Sequence, residues 1–364
     1  MASMSEPLGT TDVGPPTGHT RFTTKRTTPS HSPRATPGPR QTVALGDSPL
    51  SDREMMRDHA VHVLGDDYSG LTTCGTLQNP QSQVGVYWHS GGHLAFEGVR
   101  YCSQIWVCPV CSPIANRQRN RLLLKLWDHW KVEGAQCATF TLTAGFPKGM
   151  STSQRFKHFH AAYTRMTAGR DSFRQHWQSH EFIGYFAIVE ILYSIEADVW
   201  CPHLHGIALF HGPVPATFRE WLAAAWKRAL RLVGLNDGDG FAVDDQFDDE
   251  KAAVAYICQP MDDREPEGNS LTPLQVLRAS MTGETQYIYA FCDYAAAVKR
   301  IRHVRHSQGL LESIGEVRSN NGVTKRQGVL QDLITPEEYG LLLDDFRVGL
   351  FLADLRGELK RGQR

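Results

Sequence analysis

Two histidines with a carboxylate, and separately four cysteines, are the residues of this chain whose types and spacing can do chemistry. Residues 200–210 read WCPHLHGIALF. Side chains on a strand alternate between faces, so His203 and His205 share one face while Leu204 turns to the other. Two imidazoles placed in that way can chelate one divalent ion. The preceding segment, YFAIVEILYS at 185–194, is apolar apart from Glu190. A hairpin whose register brings Glu190 near His205 makes that carboxylate a third ligand and leaves open positions for water and a phosphate. Two histidines and one carboxylate suit Mg or Mn in phosphoryl chemistry.

The cysteines suggest a different kind of site. Cys102, Cys108 and Cys111 lie in YCSQIWVCPVC, and Cys74 lies upstream in TTCG. The Cys-x-x-Cys pair at 108 and 111 can put two thiolates on one tetrahedral ion across a tight turn. Two more thiolates complete an all-cysteine zinc site, which is closed and therefore structural. No thioredoxin-like β-α-β context surrounds the pair, and in a reducing compartment metal explains the set better than disulfides do. The other cysteines read as small hydrophobes.

Storing a DNA end on the protein needs a hydroxyl nucleophile, and tyrosine suits because its phenolate leaves readily when the strand is rejoined. The segment GETQYIYAFCDYAAAVKRIRHVRHSQGLL carries Tyr287, Tyr289 and Tyr294 on a predicted helix. Tyr287, Phe291, Tyr294 and Val298 also fall at helix spacing, the pattern of a core stripe. Periodicity therefore does not choose among the tyrosines.

The elements that position these groups follow from pattern. Residues 1–55 are rich in Thr, Pro, Ser and Gly, and their upstream part is too polar to offset the entropy of ordering, so a disordered tail is expected. Residues 70–115 form a predicted zinc-binding module. Helix spacing then runs over 113–133, a strand over 137–143, a helix over 153–178, two strands over 184–194 and 203–210, a helix from Pro215, and a short strand at 241–243. That order predicts an α+β fold with a ferredoxin-like antiparallel sheet over 116–315. Residues 316–364 are expected to be helical, with Pro336 as a start signal.

The net charge of −1 gives no global attraction to nucleic acid, but the charge is unevenly spread. Arg117, Arg119 and Arg121 crowd one stretch, and Lys299, Arg300 and Arg302 crowd another; both are candidates to hold a DNA backbone. An acidic run opposes them between Asp237 and Glu250. No apolar run reaches the roughly 18 residues of a membrane span, and no secretory signal opens the chain, so a cytoplasmic protein with no membrane partner is expected.

Taken together, Cys-x5-Cys-Pro-x-Cys, then the strand Phe140–Thr143 (FTLT), then Cys-Pro-His-Leu-His, then a tyrosine-bearing helix resemble the rolling-circle plasmid replication initiators of the HUH endonuclease superfamily, the actinomycete type above all. The resemblance covers about 70–315. It implies an HUH nuclease fold, origin binding, and nicking of one DNA strand through a covalent phosphotyrosine intermediate. Single-stranded origin DNA and the host replication machinery, helicase and polymerase, are the implied partners. Residue by residue, His203 and His205 match the family's metal pair and Glu190 its carboxylate. Tyr294 matches the nucleophile and Asp293 the acidic residue before it. Three positions depart from the pattern. Cys201 stands where the family usually has His, Asp293 where it has Glu, and Gln259 replaces the Lys of a Tyr-x-x-Lys element beginning at Tyr256. A relaxase or transposase using the same chemistry, and a non-catalytic zinc-containing DNA-binding regulator, are the alternatives.

Overall fold

Pro49 at a first helical position and Asp52 in the first turn start a helix, α1 (Pro49–Leu64), inside the stretch expected to be disordered. The computed structural model describes residues 49–89, 93–168, 172–177, 181–238, 241–245, 247, 251, 254, 257, 269–299, 301–315, 328–344, 351 and 355. The predicted tail up to residue 48 lies outside them. A 3-10 segment (Gly65–Leu71) follows α1, then β1 (Val84–His89), β2 (His93–Glu97), α2 (Cys111–Val132), β3 (Ala135–Leu142) and β4 (Ala144–Gly145). Next come α3 (Thr152–Thr167), α4 (Phe173–Trp177), β5 (Phe182–Ser194), β6 (Val199–His211), α5 (Phe218–Leu232), β7 (Asn236–Asp237) and β8 (Ala242–Asp244). The remaining elements are β9 (Ser270–Leu271), α6 (Pro273–Ser280), α7 (Thr285–Val298), β10 (Val304–His306), β11 (Gly328–Ile334) and α8 (Pro336–Asp344).

The protein is of mixed α+β class. Its main sheet runs β10–β5–β6–β3–β8 with antiparallel neighbours, and β9 adds to the end of β5. The strand–helix–strand–strand–helix–strand path from β3 to β8 therefore places its first strand, β3, between β6 and β8. One predicted helix, 153–178, is two. A capping box between Ser151 and Gln154 starts α3, and at Ala168 the backbone turns extended (ψ 153°), which ends it.

Strand alternation gives the sheet two faces with different cover. Phe140, Val189, Ile191, Leu204 and Ala208 point to one face, where they pack with Phe156 and Phe159 of α3, Trp226 of α5 and Phe291 of α7. Cys137, Phe186, Ile188, Ile207 and Leu209 point to the other, under Leu123, Leu126 and Trp127 of α2. Each fully buried large apolar side chain contributes on the order of 2 kcal/mol. Gly206 is the close-approach position between these layers. A Cβ there would meet the Phe140 ring at 2.5 Å and the Ala187 Cβ at 2.8 Å.

The C-terminal stretch is not wholly helical as expected, because β11 pairs with β1 and extends the β1–β2 hairpin. The pairing satisfies a row of backbone groups that β1 would otherwise leave open at an edge. Tyr339 of α8 reinforces it by donating to the carbonyl of Gly75 at 2.6 Å. No helix among the described residues is long and apolar enough to cross a membrane.

Beneath this packing lies a carboxyl group in an unfavourable position. Glu54 of α1 is 5% exposed, and its Oε2 has no hydrogen-bond partner. Burial raises its pKa from 4.5 to about 7, with Arg57 opposing. The folded chain therefore keeps this group protonated over a range where the unfolded chain ionises it. Its contribution to stability is intact below pH 4.5 and is lost as pH rises through about 7. Glu54→Gln, which stays neutral, is expected to stabilise the protein at pH 8 by about 3 kcal/mol and to leave it unchanged at pH 4. Urea unfolding at the two pH values checks this; an equal effect at both refutes the burial argument.

Candidate metal centres

Cys74 reaches its site at the end of a turn in which its N–H donates to Leu71 O at 3.0 Å. Gly75 follows at φ +86°, a conformation that glycine adopts without strain. Arg57 steadies the turn by donating to Cys74 O at 2.7 Å. Cys102 precedes Ser103, a non-glycine residue at φ +57°, where the chain bends back toward the other thiols. Cys111 opens α2, and its N–H points at the Cys108 sulfur 3.4 Å away. Such an N–H favours thiolate character.

The four sulfurs converge. Cys74 Sγ lies 3.5 Å from both Cys108 Sγ and Cys111 Sγ, and Cys102 Sγ lies 3.6 Å from Cys111 Sγ. A tetrahedral ZnS4 unit with 2.3 Å bonds has edges of about 3.8 Å, so the spacing is that of ligands around one ion. It is far beyond the roughly 2 Å of a disulfide. Thiols this close cannot all ionise without a cation. Hydrogen bonds from its neighbours, Cys102 foremost, pull Cys74 down, and Cys108 does the same for Cys102. Cys108 and Cys111 are pushed up, chiefly by their hydrogen bonds with Cys102. Among the described residues this is the one group of three or more His, Cys, Asp or Glu whose ligand atoms all lie within 4.8 Å. The cluster can hold a metal, as its spacing in the sequence implied.

The histidine face is more open. β5 and β6 pair with Glu190 opposite His203 and Ile188 opposite His205. Opposed residues of an antiparallel pair share a face, so Glu190, His203 and His205 stand together. Glu190 Oε2 contacts His205 Nε2 directly, and Thr141 of β3, opposite His205, lies 3.0 Å from its Nδ1. Glu190 is 8% exposed. Burial lowers the His203 pKa to about 4, with Glu190 opposing, so this imidazole is neutral and its lone pair is available. Two imidazoles and a buried carboxylate on adjacent central strands are donor types that hard or borderline divalent ions accept, but the three do not bring one ligand atom each within 4.8 Å of one another.

Other expected site residues lie elsewhere. Tyr294 is 1% exposed and packs against Trp200, with ring centroids 4.6 Å apart. Its hydroxyl donates to Trp106 O at 3.1 Å. Trp200, even-numbered on β6, belongs to the face opposite His203 and His205, so the sheet separates Tyr294 from the ligand set. The core stripe visible in the sequence is what α7 uses to pack. Asp293 is exposed on the outer side of the same helix and is likewise not part of the ligand face.

Among the basic candidates, Arg119 is only 8% exposed and bonds inward to Asn116 Oδ1 at 2.5 Å and His303 Nε2 at 3.0 Å, so it braces α2 against the sheet edge. Lys299 is exposed, pairs with Asp67 at 2.9 Å and sits over the Tyr68 ring. Arg121 is half-buried and Arg302 exposed. Arg300, the side chain of Arg117, Tyr256 and Gln259 lie outside the described residues.

Sequence reasoning missed Thr141 as a neighbour of His205. The FTLT strand was legible, but its register against β6 was not. No family model, curated protein or solved structure matches the chain.

Proposed function

We propose that this protein is a metal-dependent endonuclease that nicks single-stranded origin DNA, a rolling-circle replication initiator of the HUH type built on a ferredoxin-like sheet. One observation carries the reading: Glu190, His203 and His205 share one face of the central hairpin, with Glu190 in contact with His205, in a sheet of strand–helix–strand–strand–helix–strand order. A divalent ion held there would offset the charge that builds on a phosphodiester's non-bridging oxygens. The chain's own groups do the rest. Glu190 and His205 keep one another oriented, and burial keeps His203 neutral so that it need not lose a proton before ligating.

The nucleophile is assigned to the segment around Val254 and Ile257, not to α7. Val254 is fully buried and Ile257 partly so, in the cluster formed by Ile188 and Ile207 on the ligand face. Tyr256, between them in sequence, lies outside the described residues and is the tyrosine this reading takes to supply the hydroxyl. Its attack forms a 5′-phosphotyrosine ester and releases the 3′-hydroxyl, which primes synthesis by a host polymerase. The four-cysteine module holds zinc and serves to fix the start of α2.

Denaturing-gel detection of a covalent complex tests this. Full-length protein is mixed with a labelled single-stranded origin oligonucleotide and Mn. The adduct is expected with wild type and Tyr294→Phe, and absent with Tyr256→Phe. An adduct lost only in Tyr294→Phe returns the role to α7. No adduct in any sample, with DNA binding intact, identifies a non-catalytic binder instead.

A further inference from the structure

We propose that Thr141 is a positioning residue for the ligand His205, its hydroxyl holding the ring at Nδ1 so that Nε2 faces the site; the inference rests on the metal-dependent reading above. Three neighbouring strands contribute one side chain each to a row. Thr141 of β3 stands opposite His205 of β6, and Glu190 reaches His205 from β5. The row leaves both ring nitrogens engaged, Nδ1 with Thr141 at 3.0 Å and Nε2 with Glu190.

A neutral imidazole carries one N–H and one lone pair. Ligation through Nε2 uses that nitrogen's lone pair and leaves the ring N–H on Nδ1, where the Thr141 hydroxyl oxygen 3.0 Å away is placed to accept from it. A methyl at this position could not accept from the ring, and outer groups of this kind typically change metal affinity by about 10–100-fold.

The test is Mn binding to the full chain by calorimetry, comparing wild type with Thr141→Val and Thr141→Ser. Valine keeps the β-branched shape and the strand propensity; unchanged circular dichroism and zinc content confirm that the fold is kept. Thr141→Val is expected to weaken Mn binding by roughly 10-fold or more, and Thr141→Ser to restore it. Nitrogen-15 spectra of His205 with Mg should show Nδ1 protonated and Nε2 free to ligate in wild type, and a mixture of forms in Thr141→Val. Wild-type affinity in Thr141→Val overturns the positioning role while leaving the metal reading intact. A wild-type chain that binds no Mn, with His203→Ala giving the same trace, overturns the metal reading and this inference with it.

Discussion

Cys108→Ser is expected to yield a chain that retains no zinc and does not reach its native fold. Removing one ligand from a closed four-thiolate site leaves three closely spaced thiols with no fourth thiolate to complete the ion's coordination. Structural zinc contributes about 10–16 kcal/mol in small zinc-binding units. The whole stability of a domain is only about 5–15 kcal/mol. The site is also not peripheral. Cys74 and Cys108 are fully buried and belong to the same apolar cluster as Phe140, Leu204 and Phe291. Loss of the ion therefore loosens the junction where α1, α2 and α7 meet the sheet. Cys102, half-buried at the edge of the cluster, should be the most tolerant position. Metal content by mass spectrometry and thermal unfolding of wild type, Cys102→Ser and Cys108→Ser measure this. A Cys108→Ser protein with wild-type zinc and melting temperature would show that the cluster is a buried thiol set and no more.

The second large effect is on catalysis. His203→Ala and Glu190→Gln are each expected to slow strand nicking by about 1000-fold, the rate equivalent of roughly 4 kcal/mol of lost electrostatic stabilisation. Glu190→Gln keeps the size and shape of this buried side chain and is the variant expected to hold its fold best. Tyr294→Phe supplies the contrast. It removes a hydrogen bond to Trp106 O from a residue packed on Trp200, so it should lower stability by about 1 kcal/mol and leave nicking unchanged. Single-turnover nicking rates beside unfolding curves separate the two classes. If Tyr294→Phe abolishes nicking and the ligand variants do not, the ligand face is not the reaction centre.

Much of this was legible before the fold was known. The Cys-x-x-Cys spacing, the His-x-His alternation and the apolar run around Glu190 are local patterns, and backbone geometry turns each into a placement. A period of two puts His203 and His205 on one face whatever surrounds them. The hairpin was legible for the same reason, because its strands are adjacent in sequence and the connection between them is short. The stripe of Tyr287, Phe291, Tyr294 and Val298 was visible too. The motif resemblance pointed to Tyr294 as a nucleophile, whereas its helical spacing pointed to burial, and burial is what the fold realises. Local periodicity reports the packing face of a helix directly.

The sequence by itself thus determined the four-cysteine set, the shared face of His203 and His205, the strand and helix periods that carry them, and the mixed α+β class. Only the tertiary structure decided which face each set occupies relative to the helices, that β11 returns to β1, that Arg119 turns inward, and that Thr141 sits beside His205. These depend on pairings between residues far apart in the chain, such as β3 with β6 and β1 with β11. A register shift of one residue would send every one of those side chains to the opposite face. Local propensity carries no information about such a shift; it is selected by how well the two faces bury their apolar residues once the whole sheet has formed.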